Sequence, residues 1–225
     1  AISFSKALNP SAAFRLGLSA TPDRYFDETG TKILRDYFGP DSVYKFGLSE
    51  ALAWKNEDGT IGVLTKYAYH PIFVELTEEE NESYRAFSRQ IAQKKSIKNK
   101  TREILDEIER LQNLRSDIAK QAKQKIPALH NLLRGLASDL SHTLVYCANS
   151  SQMAEAIAVV RNLGVDSPAR ITSLEGASKS DYFKGKSERE HILSNFASGN
   201  HQVLFAIDCL DEGVDIPSAE TAVIL

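Results

Sequence analysis

The stretch VLFAIDCLDEGVDIP, residues 203–217, decides how the rest of this chain is interpreted. Its first half is an apolar run of β-type residues, which predicts a short buried strand. Its second half is a polar turn that carries four carboxylates around Gly213 and closes on Pro217. In open α/β sheets ligands bind beyond the carboxyl ends of strands, where glycine admits the backbone and a carboxylate binds a ribose hydroxyl. An acidic surface turn without a ligand has the same composition.

A second stretch, FRLGLSATP, covers residues 14–22. It predicts a strand over residues 14–18 that ends in small hydroxyl residues before Pro22. Taken alone, Ser19 and Thr21 would end the strand and hydrogen-bond the following turn, which is a common role for such side chains. Further along, residues 31–38 predict a helix stopped by Gly39-Pro40, and residues 67–76 predict another extended run.

The last part of the chain alternates strands with helices. Asn149 or Ser150 can cap the first helix, and Ser187 with Glu190 forms a capping box that opens the second. Helices that end near glycines and alternate with buried strands predict a parallel sheet with right-handed crossovers, and hence an α/β fold. The strands are predicted over residues 143–147 and 169–174, from residue 203, and over residues 221–225.

Three of these stretches carry a family resemblance. Ser-Ala-Thr at residues 19–21, TLVYCANSSQMAEAI at residues 143–157 and EGVDIP at residues 212–217 resemble motifs III, IV and V of the superfamily 2 (DEAD/DEAH-like) helicases and translocases. The branch that looks closest contains the restriction-enzyme helicase subunits and the excision-repair proteins. The resemblance implies the C-terminal part of a first RecA-like lobe at residues 1–76 and a second RecA-like lobe at residues 139–225, which ends before motif VI.

The resemblance also assigns roles to individual residues. Ser19 and Thr21 would couple ATP hydrolysis to movement, while Gly213 would approach the nucleotide and Asp215 would bind the ribose hydroxyls. Ile207 stands where many relatives have a threonine that contacts a nucleic-acid phosphate, so only backbone N–H groups of residues 206–208 could replace that contact. Ser150 is a further candidate for nucleic-acid contact, with helix capping as the alternative.

The middle of the chain, residues 77–138, is predicted to be a helical linker or insertion. Thr77 and Glu80 form a capping box, so a helix should begin there. A second helix is indicated by apolar residues three or four apart, and a third should carry Pro127 in its first turn. The apolar face of the second helix consists of Ile104, Ile108, Leu111, Leu114 and Ile118.

Between the first two helices lies the most basic stretch of the chain. Five cations in nine residues can neutralise phosphates, and such binding would weaken with salt. A charge run of this kind is also common in solvated connectors, and no aromatic residue is interleaved here to stack on bases. The cations are Lys94, Lys95, Lys98, Lys100 and Arg102.

Several expected features are missing from the sequence. No Gly-x-x-x-x-Gly-Lys-Ser/Thr phosphate loop, no Asp-Glu-x-Asp/His magnesium box and no arginine-rich motif VI occurs, so all three electrostatic elements of phosphoryl transfer are absent. ATP and Mg²⁺ are therefore expected between the lobes of the full-length protein, and none is expected on this chain's own motifs. The sequence shows no Cys/His spacing typical of a metal site.

Net charge, the length of apolar runs and the cysteines limit the partners and the compartment expected for this protein. The net charge of −3 gives no global attraction to nucleic acid, so phosphate contacts must come from local patches. No apolar run could span a bilayer, and two cysteines in apolar surroundings indicate buried thiols in a reducing, cytoplasmic compartment.

The sequence thus predicts a piece of an ATP-dependent helicase or translocase that acts on nucleic acid, with DNA favoured. Such a protein could belong to a restriction-modification or repair system and bind nuclease or methyltransferase subunits. The chain by itself is expected to be inactive. The alternative from another class is a non-catalytic binding or scaffold module that keeps the RecA-like shape.

Overall fold

The computed structural model describes residues 8–19, 22–23, 28–40, 44–57, 59, 64, 66–136, 140–172, 175, 178–183, 185–207, 216 and 218–225. The chain divides into two units, Ala1–His70 and Pro71–Leu225. The domain boundaries expected from the sequence, after residues 76 and 138, stay predictions.

The first unit contains helices α1 (Glu28–Phe38) and α2 (Leu48–Ala53). The predicted helix over residues 31–38 is confirmed, and it begins three residues earlier. It ends at Gly39, whose φ of 120° lies in a region that side chains other than glycine rarely adopt.

The strand expected over residues 14–18 is wrong. No strand forms there in the part of the chain that the structure describes, and Phe14, Leu16 and Leu18 are 96%, 83% and 88% exposed. The expected extended run over residues 67–76 also joins no sheet, and Phe73 is 92% exposed. Apolar alternation predicts a strand only if a neighbouring strand supplies backbone partners, and none pairs with these segments in the described residues.

The second unit begins with two long helices, α3 (Glu78–Lys95) and α4 (Arg102–Lys120). Both were predicted, and the capping box of Thr77 and Glu80 is present with both of its hydrogen bonds. The two helices pack as an antiparallel hairpin around Ile91, Ile108 and Leu111, which are 4%, 6% and 1% exposed. Residues 78–120 are called the helical arm below.

A four-stranded parallel sheet with helices on both sides completes the unit, as the sequence predicted. The strand order is β2 (Ala169–Ile171), β5 (Val203–Ala206), β1 (Thr143–Tyr146) and β6 (Thr221–Ile224), with β1 and β5 in the centre. The small antiparallel pair β3-β4, with a 3₁₀ turn at Asp181–Phe183, was not predicted. The elements after the arm are α5 (Lys125–Gly135), β1 (Thr143–Tyr146), α6 (Ser150–Asn162), β2 (Ala169–Ile171), β3 (Lys179–Ser180), β4 (Lys186–Ser187), α7 (Glu188–Ala197), β5 (Val203–Ala206) and β6 (Thr221–Ile224).

Strand β5 is apolar and buried at all four positions, and β1 is buried at its first three, because both faces of the sheet are covered. Successive side chains point to opposite faces, so Val145 and Phe205 join one core cluster and Leu144 and Leu204 the other. The first cluster packs against α5 and α6, and the second against Phe196 of α7. This arrangement gives a three-layer α/β fold, which is the RecA-like type predicted for residues 139–225.

Local signals predicted the helix ends well. Asn149 rather than Ser150 caps α6, since its side chain accepts the N–H of Gln152. The capping box of Ser187 and Glu190 opens α7 with both bonds present. Pro127 lies in the first turn of α5, as expected.

Candidate functional site

The carboxyl edge of the parallel sheet is where this fold places ligands. Strands β1 and β5 are neighbours in register, with Tyr146 opposite Ala206, so the segments that follow them leave the sheet side by side. The segment after β1 is the motif IV-like turn at residues 147–149, and the segment after β5 is the acidic turn. Topology therefore brings the residues that directly follow β1 and β5 to one edge of the sheet.

The predicted nucleotide-binding residues Gly213 and Asp215 lie outside the described residues, as do the other carboxylates of their turn. The structure describes what flanks them. Strand β5 is fully buried before the turn, and Ile216 after it packs against the cluster that contains Phe196. The residues that flank this stretch are therefore buried on one side and partly buried on the other. The nucleotide roles of Gly213 and Asp215 stay predictions.

Ile207 follows directly after β5. Its side chain is half-buried and packs against the core, and its backbone N–H donates to the carbonyl of Ile171 at 3.3 Å. The sequence left open whether backbone N–H groups around this residue would replace the missing threonine. At Ile207 that N–H is already engaged within the sheet.

Ser150 is exposed at the first position of α6. Because Asn149 makes the cap bond, at 2.9 Å to the N–H of Gln152, the capping role considered for Ser150 falls to its neighbour. The N-terminal end of a helix favours anions, so the position of Ser150 is compatible with a phosphate contact, which stays a prediction.

Cys147 closes β1 and is buried, with its N–H donating to the carbonyl of Ala206 at 2.9 Å. Burial raises the pKa of its thiol to about 12, so the thiol is protonated at neutral pH and is a poor nucleophile. The expectation of a buried, unpaired thiol is confirmed for Cys147. Cys209 lies outside the described residues.

Ser19 is exposed in the first unit, and Thr21 lies outside the described residues. The segment before Ser19 is fixed to α1 by Arg15, whose guanidinium donates to the carbonyls of Tyr37 and Pro10 at 3.0 and 2.8 Å. The same guanidinium stacks over the Tyr37 ring, 4.3 Å from its centre. In the described residues 14–19, Arg15 contacts α1, and no strand forms there.

The basic stretch lies at the end of the helical arm, where residues 95–103 are all exposed. Lys94 is half-buried, and its charge contributes to a lowered pKa of Glu107, after the larger contribution of the Arg110 hydrogen bond. Lys94 therefore has a partner inside the arm, whereas Lys95 and Lys98 lie fully at its surface. Lysines in the last turn of α3 also suit the negative end of the helix dipole, whatever else they bind.

The contacts of Gln152 could not be predicted from the sequence. Its side chain is 6% exposed and forms two hydrogen bonds, accepting the N–H of Ala148 at 2.7 Å and donating to the carbonyl of Lys120 at 2.9 Å. The second bond joins residues 32 positions apart. In the sequence Gln152 is one polar residue in an amphipathic helix, and no local pattern marks it.

Two further observations concern ligands and membranes. Among the described residues, no group of three or more His, Cys, Asp or Glu side chains is placed to hold a metal ion. In the same part of the chain, no helix combines the length and apolarity needed to cross a bilayer.

Residues 124–225 match the helicase conserved C-terminal domain. This segment is a helicase C-terminal domain. The match begins one residue before α5, so the helical arm and the first unit lie outside it. The recognition of the family from motifs III, IV and V is thereby confirmed.

The wider chain is similar to the DNA 3′-5′ translocase XPB2 of Sulfurisphaera tokodaii. The two are 27% identical over 215 residues, which is 96% of this chain and 46% of that protein. The chain thus spans about half the length of this relative, and the similarity extends beyond the helicase lobe into the arm and the first unit.

Proposed function

We propose that this chain is part of an ATP-dependent DNA helicase or translocase. The observation that carries the proposal is the match to the C-terminal helicase domain, which contains the buried strand β5 and, after it in the sequence, EGVDIP. The similarity to a DNA translocase over 96% of the chain supports DNA rather than RNA as the nucleic acid.

In this proposal the full-length protein binds ATP and Mg²⁺. Asp215 accepts hydrogen bonds from the ribose hydroxyls, and Gly213 lets the backbone approach the nucleotide. Ser19 and Thr21 couple hydrolysis to movement. Because the sequence has no phosphate loop, magnesium box or motif VI, the chain alone does not hydrolyse ATP.

The exposed end of the helical arm is the candidate contact for the DNA backbone. Lys95 and Lys98 are solvent-exposed cations that can neutralise phosphates without losing an internal partner. Lys94 contributes less, since its charge already acts on Glu107. Ser150, at the carboxyl edge of the sheet, is a second and separate candidate.

The biological system is proposed on the likeness of EGVDIP to restriction and excision-repair sequences. A protein of that kind would work in the cytoplasm with nuclease or methyltransferase subunits. This part of the proposal rests on fold-level analogy and not on a site.

The test is ATP hydrolysis by a protein that contains this chain together with a phosphate loop, a magnesium box and motif VI. Turnover is expected to rise with DNA and to collapse in Asp215→Ala, because the ribose contact is lost. Asp211→Ala, in the same acidic turn, is the matched control and should keep most of the activity.

Two results would contradict the proposal. An Asp215→Ala variant as active as the control would refute the nucleotide role of the turn. A well-folded protein with no turnover in the presence or absence of DNA would leave a non-catalytic scaffold as the function.

A further inference from the structure

Residues 120–125 form a junction at which the helical arm meets the helicase lobe. Helix α4 ends at Lys120 and α5 begins at Lys125, and Ala122 between them is only 2% exposed. The carbonyls at the end of a helix have no partner inside the helix, so they must be satisfied from outside it. At this junction the Lys120 carbonyl and the Lys123 N–H both find side-chain partners on other elements.

The first partner is Gln152 of α6. Its amide donates to the carbonyl of Lys120 at 2.9 Å, while its oxygen accepts the N–H of Ala148 at 2.7 Å. The ammonium of Lys125 also donates to the Lys120 carbonyl, at 3.1 Å. One buried side chain therefore joins the end of the arm to the turn that follows β1, at the ligand-binding edge of the sheet.

The second partner is Glu80 at the start of α3. One carboxylate oxygen accepts the N–H of Thr77 at 2.8 Å and the other accepts the N–H of Lys123 at 3.0 Å. Burial opposes ionisation of this carboxyl, but the hydrogen bonds outweigh it and lower its pKa. Glu80 thus ties the other helix of the arm to the same junction.

The side chains of Glu80 and Gln152 connect different elements. Glu80 closes the base of the hairpin and connects α3 with the residues just after α4, so it acts within the arm. Gln152 belongs to the lobe, as does Lys125, and the two bonds of Gln152 run from the arm to the turn after β1. The orientation of the arm relative to the sheet therefore depends on Gln152 more than on Glu80.

We infer that Gln152 is a positioning residue that fixes the helical arm to the carboxyl edge of the sheet, so that the basic end of the arm moves with the turn after β1. The 19 residues of α4 make a lever of about 28 Å at 1.5 Å per residue. Loosening at the base by about 10° would move the far end by about 5 Å over that length. The consequence for DNA rests on the proposed function, whereas the attachment itself does not.

The test measures the distance between spin labels at Lys98→Cys, at the end of the arm, and Glu155→Cys, on the exposed face of α6. The Cys209→Ser background leaves only the buried Cys147, which does not react with the label. In the starting protein a single narrow distance distribution is expected. No DNA or nucleotide is present, so the result is independent of the helicase proposal.

Gln152→Leu removes both hydrogen bonds at similar side-chain size, and Gln152→Glu keeps an acceptor for Ala148 but places a carboxylate against the Lys120 carbonyl. Both should broaden the distance distribution by about 5 Å, which is the displacement that a loosening of about 10° gives over the length of α4. Gln124→Leu, an exposed glutamine at the same junction, is the matched control and should leave the distribution narrow.

Circular dichroism and thermal melting show whether each variant keeps its fold. A broad distribution in the starting protein, or an unchanged narrow one in both folded Gln152 variants, would overturn the inference. If neither variant folds, Gln152 is required for folding of the lobe and not for positioning, which also overturns it.

Discussion

Neutralising the end of the helical arm gives the sharpest test of where this chain contacts DNA. The perturbation is the triple change of Lys95, Lys98 and Lys100 to Gln. All three lysines lie within residues 95–103, where every side chain is exposed, so their removal leaves no buried group unpaired. The net charge changes by three, while the core of the arm is untouched.

The magnitude follows from counterion release. Each phosphate neutralised on duplex DNA contributes about 0.9 to the slope of log affinity against log salt, so three lost contacts lower the slope by about 2.7. A slope difference of that size changes the ratio of the two proteins' affinities about 40-fold between about 50 and 200 mM salt. The variant should therefore bind much more weakly than the starting protein at low salt and approach its affinity at high salt.

The assay is fluorescence anisotropy of labelled duplex and single-stranded DNA titrated with the 225-residue chain at several salt concentrations. The matched control changes three exposed lysines of the first unit, Lys45, Lys55 and Lys66, to Gln. It alters the net charge equally but leaves the arm intact. Equal slopes for the arm variant and the starting chain, or an equal loss in the control, would refute a phosphate contact at the end of the arm.

Two further predictions concern stability and reactivity. Leu111→Ala should cost about 2–3 kcal/mol, because Leu111 is 1% exposed in a core of only three buried residues, and hydrogen exchange within residues 78–120 should accelerate about 30- to 150-fold. Leu105→Ala on the same helix, where the side chain is 52% exposed, is the control, and equal effects of the two changes would contradict the packing described. In a Cys209→Ser background, Cys147 should resist a thiol reagent at pH 8 until the chain is unfolded, because its folded pKa is about 12 against an ordinary 9.0. Rapid labelling of the native chain at pH 8 would contradict this. Because the folded pKa lies above the unfolded one, the contribution of the protonated thiol to the free energy of unfolding is complete below pH 9 and is lost as the pH rises towards 12.

Helix boundaries and sheet type could be predicted from the sequence because their causes are local. A capping box joins residues three positions apart, as in Thr77 with Glu80 and Ser187 with Glu190, and both formed as expected. The apolar strands alternating with helices were sufficient to predict a parallel sheet buried on both faces. The family resemblance depended on short contiguous motifs, which a sequence displays directly.

Errors arose where a segment depends on partners that are distant in the chain. The apolar alternation of residues 14–18 satisfied the pattern of a strand, yet no neighbouring strand pairs with it among the described residues. The availability of the Ile207 N–H, which the sequence left open, also depended on a distant partner, because that N–H donates to the carbonyl of Ile171 on another strand. In both cases the backbone partner, and not the residue type, decided the outcome.

By itself the sequence determined the helicase lobe, the limits of most helices and the presence of a basic segment between two of them. The tertiary structure alone decided that this segment is the exposed end of an arm and that Gln152 and Glu80 hold the base of that arm. Those two side chains reach across 32 and 43 residues of chain, to Lys120 and Lys123. Contacts of that separation exist only after the sheet and helices have packed, because packing is what brings a helix end and a distant amide within 3 Å.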